Sequence, residues 1–159
     1  MTIEALLQLV LRDALWSALA AAAFAVLFNV PRRTLLGCAA CGAVGHSLRA
    51  LLLALGWSIE AGTLFGATVV GFVGIWLAHA YKVPAIVFTL SGSIPMVPGV
   101  YAYRAMLGFI QVTSAPASEA SAALVEAGVS AIATGLILAA IGIGITAPGL
   151  LFRRPKPVV

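Results

Sequence analysis

Charge is what this chain has least of. Nine lysines and arginines and five aspartates and glutamates make up only 9% of 159 residues, while 62% are hydrophobic. A mean hydropathy of +1.12 exceeds what a soluble domain of this length can bury, so the chain reads as a membrane protein. Its few basic residues are scattered between apolar segments and form no face. A pI near 9.6 therefore carries no suggestion of nucleic-acid binding. A basic cluster at the amino terminus is also missing: Glu4 stands there, and the first apolar stretch runs on without a cleavage region, against the pattern of a removed signal peptide. Cysteine is limited to Cys38 and Cys41. They form a CxxC, but in an apolar helix with no second ligand pair and no surrounding βαβ pattern, which makes them small packing residues. No nucleophile with a base and an orienting partner can be assembled, and there is no phosphate loop or metal-ligand cluster. Nothing points to an enzyme, a cofactor or a metal.

What is present is a set of apolar runs of about 17 to 25 residues, the length a tilted helix needs in a core of about 30 Å. They cover about 6–30, 34–57, 61–81, 84–112 and 122–147. The first starts at Leu6 if Arg12 and Asp13 are carried inside, and otherwise near Ala14. The last is expected to stop at Pro148-Gly149. This predicts an all-α, polytopic integral membrane bundle of about five helices in a single transmembrane domain, 1–159. Thr113 to Ser121 reads as a loop. No internal repeat is evident.

Basic residues set the expected orientation. Arg32 and Arg33, Lys82, and Arg153, Arg154 and Lys156 fall on one side, and Glu4, Glu60, Glu119 and Glu126 on the other. The positive-inside bias places the amino terminus outside and the carboxyl terminus in the cytoplasm. Small residues supply helix contacts, within the chain or in a homo-oligomer: Gly62, Gly66, Gly71 and Gly74 in the third span, and Ala127, Ala131, Gly135 and Ala139 in the fifth.

The fourth run is interrupted by Ser91-Gly92-Ser93-Ile94-Pro95-Met96-Val97-Pro98-Gly99. Two prolines and two glycines in nine residues remove backbone donors and loosen the helix. In lipid such a break survives only where protein or a water-filled cavity satisfies the freed groups. Transporters build binding sites this way. A half-helix starting near Pro98 or Gly99 aims amides at the bilayer midplane, which suits a carboxylate, and Ser91 and Ser93 add hydroxyls. The competing reading is a plain proline kink covered by neighbouring helices. A re-entrant hairpin is a further geometry, but it places Arg153, Arg154 and Lys156 outside, so charge bias favours a crossing helix.

Ionisable groups at membrane depth are functional candidates. His46 and Arg49 share a helix face. Counted at about 1.5 Å per residue, they lie roughly 18 and 22 Å from the cytoplasmic end, and Asp13 roughly 27 Å. An Asp13–Arg49 pair is within reach, either pinning two helices or serving substrate and protons. His46 can relay protons near neutral pH. Tyr101, Tyr103 and Arg104 near the outer interface are anchors or gate residues.

At Phe28-Asn29-Val30-Pro31-Arg32-Arg33, then Cys38, Gly42, Gly45-His46 and Arg49, and finally Ile94-Pro95-Met96-Val97-Pro98-Gly99 with Tyr103, Ala105 and Met106, the chain resembles a known family. It is similar to the small, YjjB-like subunit of the threonine/serine exporter family, over about residues 5 to 155. Cys41 is outside the family pattern. The resemblance implies ion-gradient-driven export of small carboxylates, either threonine and serine or succinate, across a bacterial inner membrane. It also implies a larger YjjP-like membrane subunit supplied by another polypeptide. In this reading Arg49, Ser91, Ser93, Pro95, Pro98, Gly99, Tyr103 and Arg104 contribute to the carboxylate site, and His46 or Asp13 couples protons. Two alternatives stand beside it: a scaffold that assembles the larger subunit, and a small oligomeric channel.

Overall fold

The computed structural model describes residues 3–114 and 116–152. Arg153, Arg154 and Lys156, on which part of the charge bias rests, lie outside the described residues, as does the side chain of Glu119. Among the described residues the regular structure is entirely helical: α1 (Ile3–Leu27), a 3-10 turn (Arg32–Thr34), α2 (Leu35–Ala54), α3 (Ile59–Tyr81), α4 (Ile86–Ser93) with a 3-10 turn (Ile94–Met96), α5 (Gly99–Ser114) and α6 (Ala117–Phe152). Four helices are long and apolar enough to cross a membrane, and the pair Ile86–Met96 and Gly99–Ser114 makes a fifth if taken as one span. At its break the backbone bends by 57°. The all-α polytopic bundle expected from the sequence is the observed architecture.

Helix ends follow local chemistry. Asn29 adopts a left-handed φ of 55° after α1, and Val30 then donates back to the Ala25 carbonyl at 3.0 Å. Gly56, at φ 88°, plays the same part after α2, with Trp57 donating to Leu52 at 3.0 Å. The hydroxyl of Ser58 accepts from the Ala61 amide at 3.3 Å and caps α3, which ends at a left-handed Lys82. The C-terminal turns spare their helices bare carbonyls, and the Ser58 cap spares α3 a bare amide.

The chain forms two compact units, 1–96 with 140–159, and 97–139. In the first, helices meet through residues too small to hold them apart, since lipid provides no hydrophobic drive for association. A Cβ on Gly62 meets Leu53 at 2.7 Å, one on Gly74 meets Thr89 at 2.5 Å, and one on Gly92 meets the Cβ of Cys41 at 2.6 Å. Gly42 likewise admits Ala21 and the Ser17 carbonyl. In the second unit, Gly108 of α5 accommodates Ala127 of α6 at 2.7 Å. The stripe read in the last span is therefore only partly packed: Ala127 is buried, while a Cβ on Gly135 meets nothing within 4 Å.

Two boundaries differ from expectation. α6 does not stop at Pro148-Gly149 but continues to Phe152, with Pro148 fully buried and its ring 3.0 Å from where a Cβ on Gly71 would sit. Packing of the ring onto α3 carries the helix past the lost donor. The stretch Thr113 to Ser121 is mostly helical, not a loop. Thr113 Oγ1 and Ser114 Oγ donate to the Ile110 carbonyl at 2.7 and 3.1 Å, so these hydroxyls extend α5, and α6 begins at Ala117.

Candidate functional site

The break begins where α4 tightens into the 3-10 turn Ile94–Met96 and ends at Pro98, which precedes α5. Proline at 95 and 98 removes the donors that would reach the carbonyls of Ser91 and Ile94. Ser91 Oγ donates to Val87 at 3.1 Å and Ser93 Oγ to Leu90 at 3.0 Å, and both residues are buried. Their protons are committed to the backbone, which leaves each hydroxyl able to accept but not to donate. The Gly99 amide closes a tight turn onto the Val97 carbonyl at 2.9 Å, and the first helical bond of α5 runs from Ala102 to Pro98 at 3.0 Å.

The Met96 carbonyl, displaced from the helical ladder by this turn, is met by Arg49 of α2. Its Nη1 donates at 2.8 Å, a charge-assisted bond between residues 47 apart. Small residues make the approach feasible. The Met96 side chain is fully buried, its sulfur 3.2 Å from where a Cβ on Gly66 would lie, and that same Cβ would be 2.6 Å from the Gly45 carbonyl and 3.5 Å from Arg49 Cβ. α2, α3 and the break thus converge on one glycine.

One turn from Arg49, His46 Nδ1 lies 2.7 Å from Asp13 Oδ2. The sequence reading set Asp13 at a depth where α2 can meet it but named Arg49 as its partner, and the structure pairs it with His46. Helical phase explains the difference, because His46 and Arg49, three residues apart, lean to neighbouring sides of α2: His46 toward α1 and Arg49 toward the break. At 1.5 Å per residue, Asp13 is about 15 Å from the start of α1 and His46 about 12 Å from the end of α2, so both side chains sit well inside antiparallel helices. Ser47 Oγ ties the same helices by donating to the Val10 carbonyl at 3.4 Å. The outer side of Asp13 opens on a groove of about 810 Å³ between α1 and α2, lined also by Gln8, Arg12, Trp16 and Leu53.

Tyr103 and Arg104 stand on α5 in the second unit, both exposed. The cysteines pack: Cys38 Sγ donates to the Val87 carbonyl at 3.4 Å, and Cys41 lies against Gly92. Sequence reasoning missed the Met96 carbonyl as the acceptor for Arg49. A main-chain atom has no residue signature, and the two prolines withhold donors from the carbonyls of Ser91 and Ile94 rather than from this one.

Comparison with known proteins bears on this arrangement. The family model described as threonine/serine exporter, ThrE, matches residues 13–151, which include Asp13, His46, Arg49 and the whole break. An uncharacterized protein of Haemophilus influenzae is 44% identical over 150 residues, covering 94% of this chain and 50% of that protein. The chain spans about half the length of this curated relative. No solved structure matches. A match from Asp13 almost to the end of α6, on a chain of membrane-crossing helices, makes this multi-pass membrane protein a member of the threonine/serine exporter family.

Proposed function

We propose that this chain forms the broken-helix part of a secondary exporter of small carboxylates, with Arg49 as the cation that serves both the break and the cargo. The carrying observation is the bond from Arg49 Nη1 to the Met96 carbonyl at 2.8 Å. A carboxylate is a better acceptor for a guanidinium than a neutral carbonyl. Cargo arriving at Arg49 therefore competes with Met96 and releases the segment that Arg49 holds. Pro95 and Pro98 keep the backbone of the break open by withholding donors from its carbonyls. Ser91 and Ser93 contribute acceptor lone pairs from behind the break.

The Asp13–His46 pair supplies proton coupling. A carboxylate and an imidazole 2.7 Å apart share one proton readily, and His46 is on the same helix as Arg49, so its charge state biases the latch. Cargo is threonine and serine or a succinate-type dicarboxylate, moved outward across the bacterial inner membrane at the expense of an ion gradient. The amino terminus faces out. The chain works with a second membrane component, the larger YjjP-like subunit.

Replacing Arg49 with Gln in cells that carry both components tests the reading. Export falls at least about tenfold at normal protein level if a charged bond is lost; unchanged export removes Arg49 from the site. Wild-type export from Arg49→Gln together with loss of assembly in the glycine-stripe variants would favour the scaffold reading instead.

A further inference from the structure

α1 and α2 are held together where His46 meets Asp13 and where Ser47 reaches the Val10 carbonyl. Beside these contacts α2 presents only Ala50 and Ala54, side chains too short to fill the space against α1, and a groove of about 810 Å³ remains. Leu9 and Leu53 give it apolar walls, while Gln8, Arg12 and Trp16, spaced four apart along one row of α1, supply its polar and aromatic side. Arg12 and Trp16 are exposed, and Arg12 makes no hydrogen bond, ion pair or ring contact among the described residues. Asp13 lines the same groove. His46 meets its Oδ2, yet the Asp13 side chain is still 23% exposed, so its other oxygen can be reached. Because α1 is long and apolar enough to cross a membrane, a groove on its exposed flank opens to lipid.

We propose that this groove binds one phospholipid whose head carries both a phosphate and a primary ammonium, the phosphatidylethanolamine class. Charge complementarity points to that occupant: an apolar trough with one cation and one carboxylate side by side matches a molecule with an apolar tail and a zwitterionic head. The Arg12 guanidinium donates to the phosphate oxygens, a geometry that favours two parallel bonds, and the Gln8 amide, one turn away, adds a donor. The open oxygen of Asp13 accepts from the ammonium. Trp16, Leu9 and Leu53 lie along the start of an acyl chain, with the Trp16 ring suited to the zone between head and tail. At about 30 Å³ for a water-sized group, 810 Å³ admits about 27 such groups, more than a head alone fills. Asp13 also sets the selectivity. A head without an ammonium leaves this carboxylate facing a phosphate, and a choline nitrogen has no N–H to donate to it. Lipid occupancy of the groove is independent of what the exporter carries.

Native mass spectrometry of the purified full chain in detergent, titrated with phosphatidylethanolamine, phosphatidylglycerol and phosphatidylcholine of identical acyl chains, tests it. The wild-type chain is expected to retain one ethanolamine lipid at least about tenfold more tightly than either of the others. Arg12→Gln lowers the binding of all three by about tenfold. Asp13→Asn brings the ethanolamine lipid down to the level of phosphatidylglycerol. His46→Gln breaks the same contact between α1 and α2 but keeps the Asp13 carboxylate, and the ethanolamine preference persists in it. Glycerophosphoethanolamine, the same head without chains, does not displace the lipid, because the apolar part of the groove is then left empty. Equal retention of the three lipids by the wild-type chain overturns the proposal, as does undiminished ethanolamine-lipid binding by Arg12→Gln. A preference lost equally in His46→Gln and Asp13→Asn also overturns it, since helix pairing and not the carboxylate would then be the cause. If the wild-type chain retains no lipid at all, the proposal falls and the groove is left to a helix of another membrane protein.

Discussion

Gly66→Ala is the substitution that strikes the centre of the first unit. The added methyl would lie 2.6 Å from the Gly45 carbonyl oxygen, 3.2 Å from the Met96 sulfur and 3.5 Å from Arg49 Cβ. A carbon approaches a carbonyl oxygen comfortably at about 3.3 Å, so α2 and α3 must part by about 0.7 Å at this level. Met96 can yield, being the end of a flexible side chain, but the Gly45 carbonyl is helix backbone and cannot. The Arg49–Met96 bond starts at 2.8 Å, and a shift of that size takes it to about 3.5 Å, the edge of what counts as a bond. Overpacking of this kind costs about 1–3 kcal/mol. At about 2–4 °C per kcal/mol, the melting temperature of the purified chain falls by about 2–12 °C. Thermal unfolding in detergent measures the first effect and export at permissive temperature the second. A Gly66→Ala chain that melts and exports like wild type refutes the convergence of α2, α3 and the break.

Gly92→Ala, which sets a methyl against Cys41 and the Gly42 amide, destabilises by a similar amount in the same melting assay, whereas Gly99→Ala, with nothing within 4 Å, leaves the melting temperature unchanged or slightly raised. Pro98→Ala restores a backbone donor at the break, and joining it to Gly99→Ala straightens the α4–α5 path; export is abolished with protein present, and wild-type flux from that double variant removes the break as a working element. Asp13→Asn and His46→Gln each break the carboxylate–imidazole pair; export then loses its dependence on the ion gradient while cargo binding persists, and gradient-dependent flux in both variants excludes the pair from coupling. Cys38→Ser with Cys41→Ser retains export, because both thiols serve packing, and loss of export at normal protein level contradicts that assignment.

Which parts of this molecule were readable in advance follows from where the information lies. Hydropathy located the helices because each membrane span has to hide its own backbone, and Pro95 and Pro98 marked the break because no other residue lacks the donor. The glycines of α3 were legible as contacts for the same steric reason, but Gly135 shows that spacing alone does not say whether a neighbour is present. Long-range partners were not legible. Depth counting set Asp13 where α2 can reach it, yet the choice between His46 and Arg49 turns on the rotation of α2, a quantity that hydrophobic period does not carry in a helix apolar nearly all round. The course of α6 past Pro148 depended on Gly71, which is 77 positions away in the chain.

The reach of the Arg49 bond has a consequence for biogenesis. The first two helices can enter the bilayer as a hairpin in which Asp13 and His46 are partners from the start. Arg49 enters with them, but the Met96 oxygen it bonds is synthesised 47 residues later, after α3 and the whole of α4. The joint between the second helix and the break is therefore closed late, by the arrival of the proline-broken segment and not by the hairpin that precedes it.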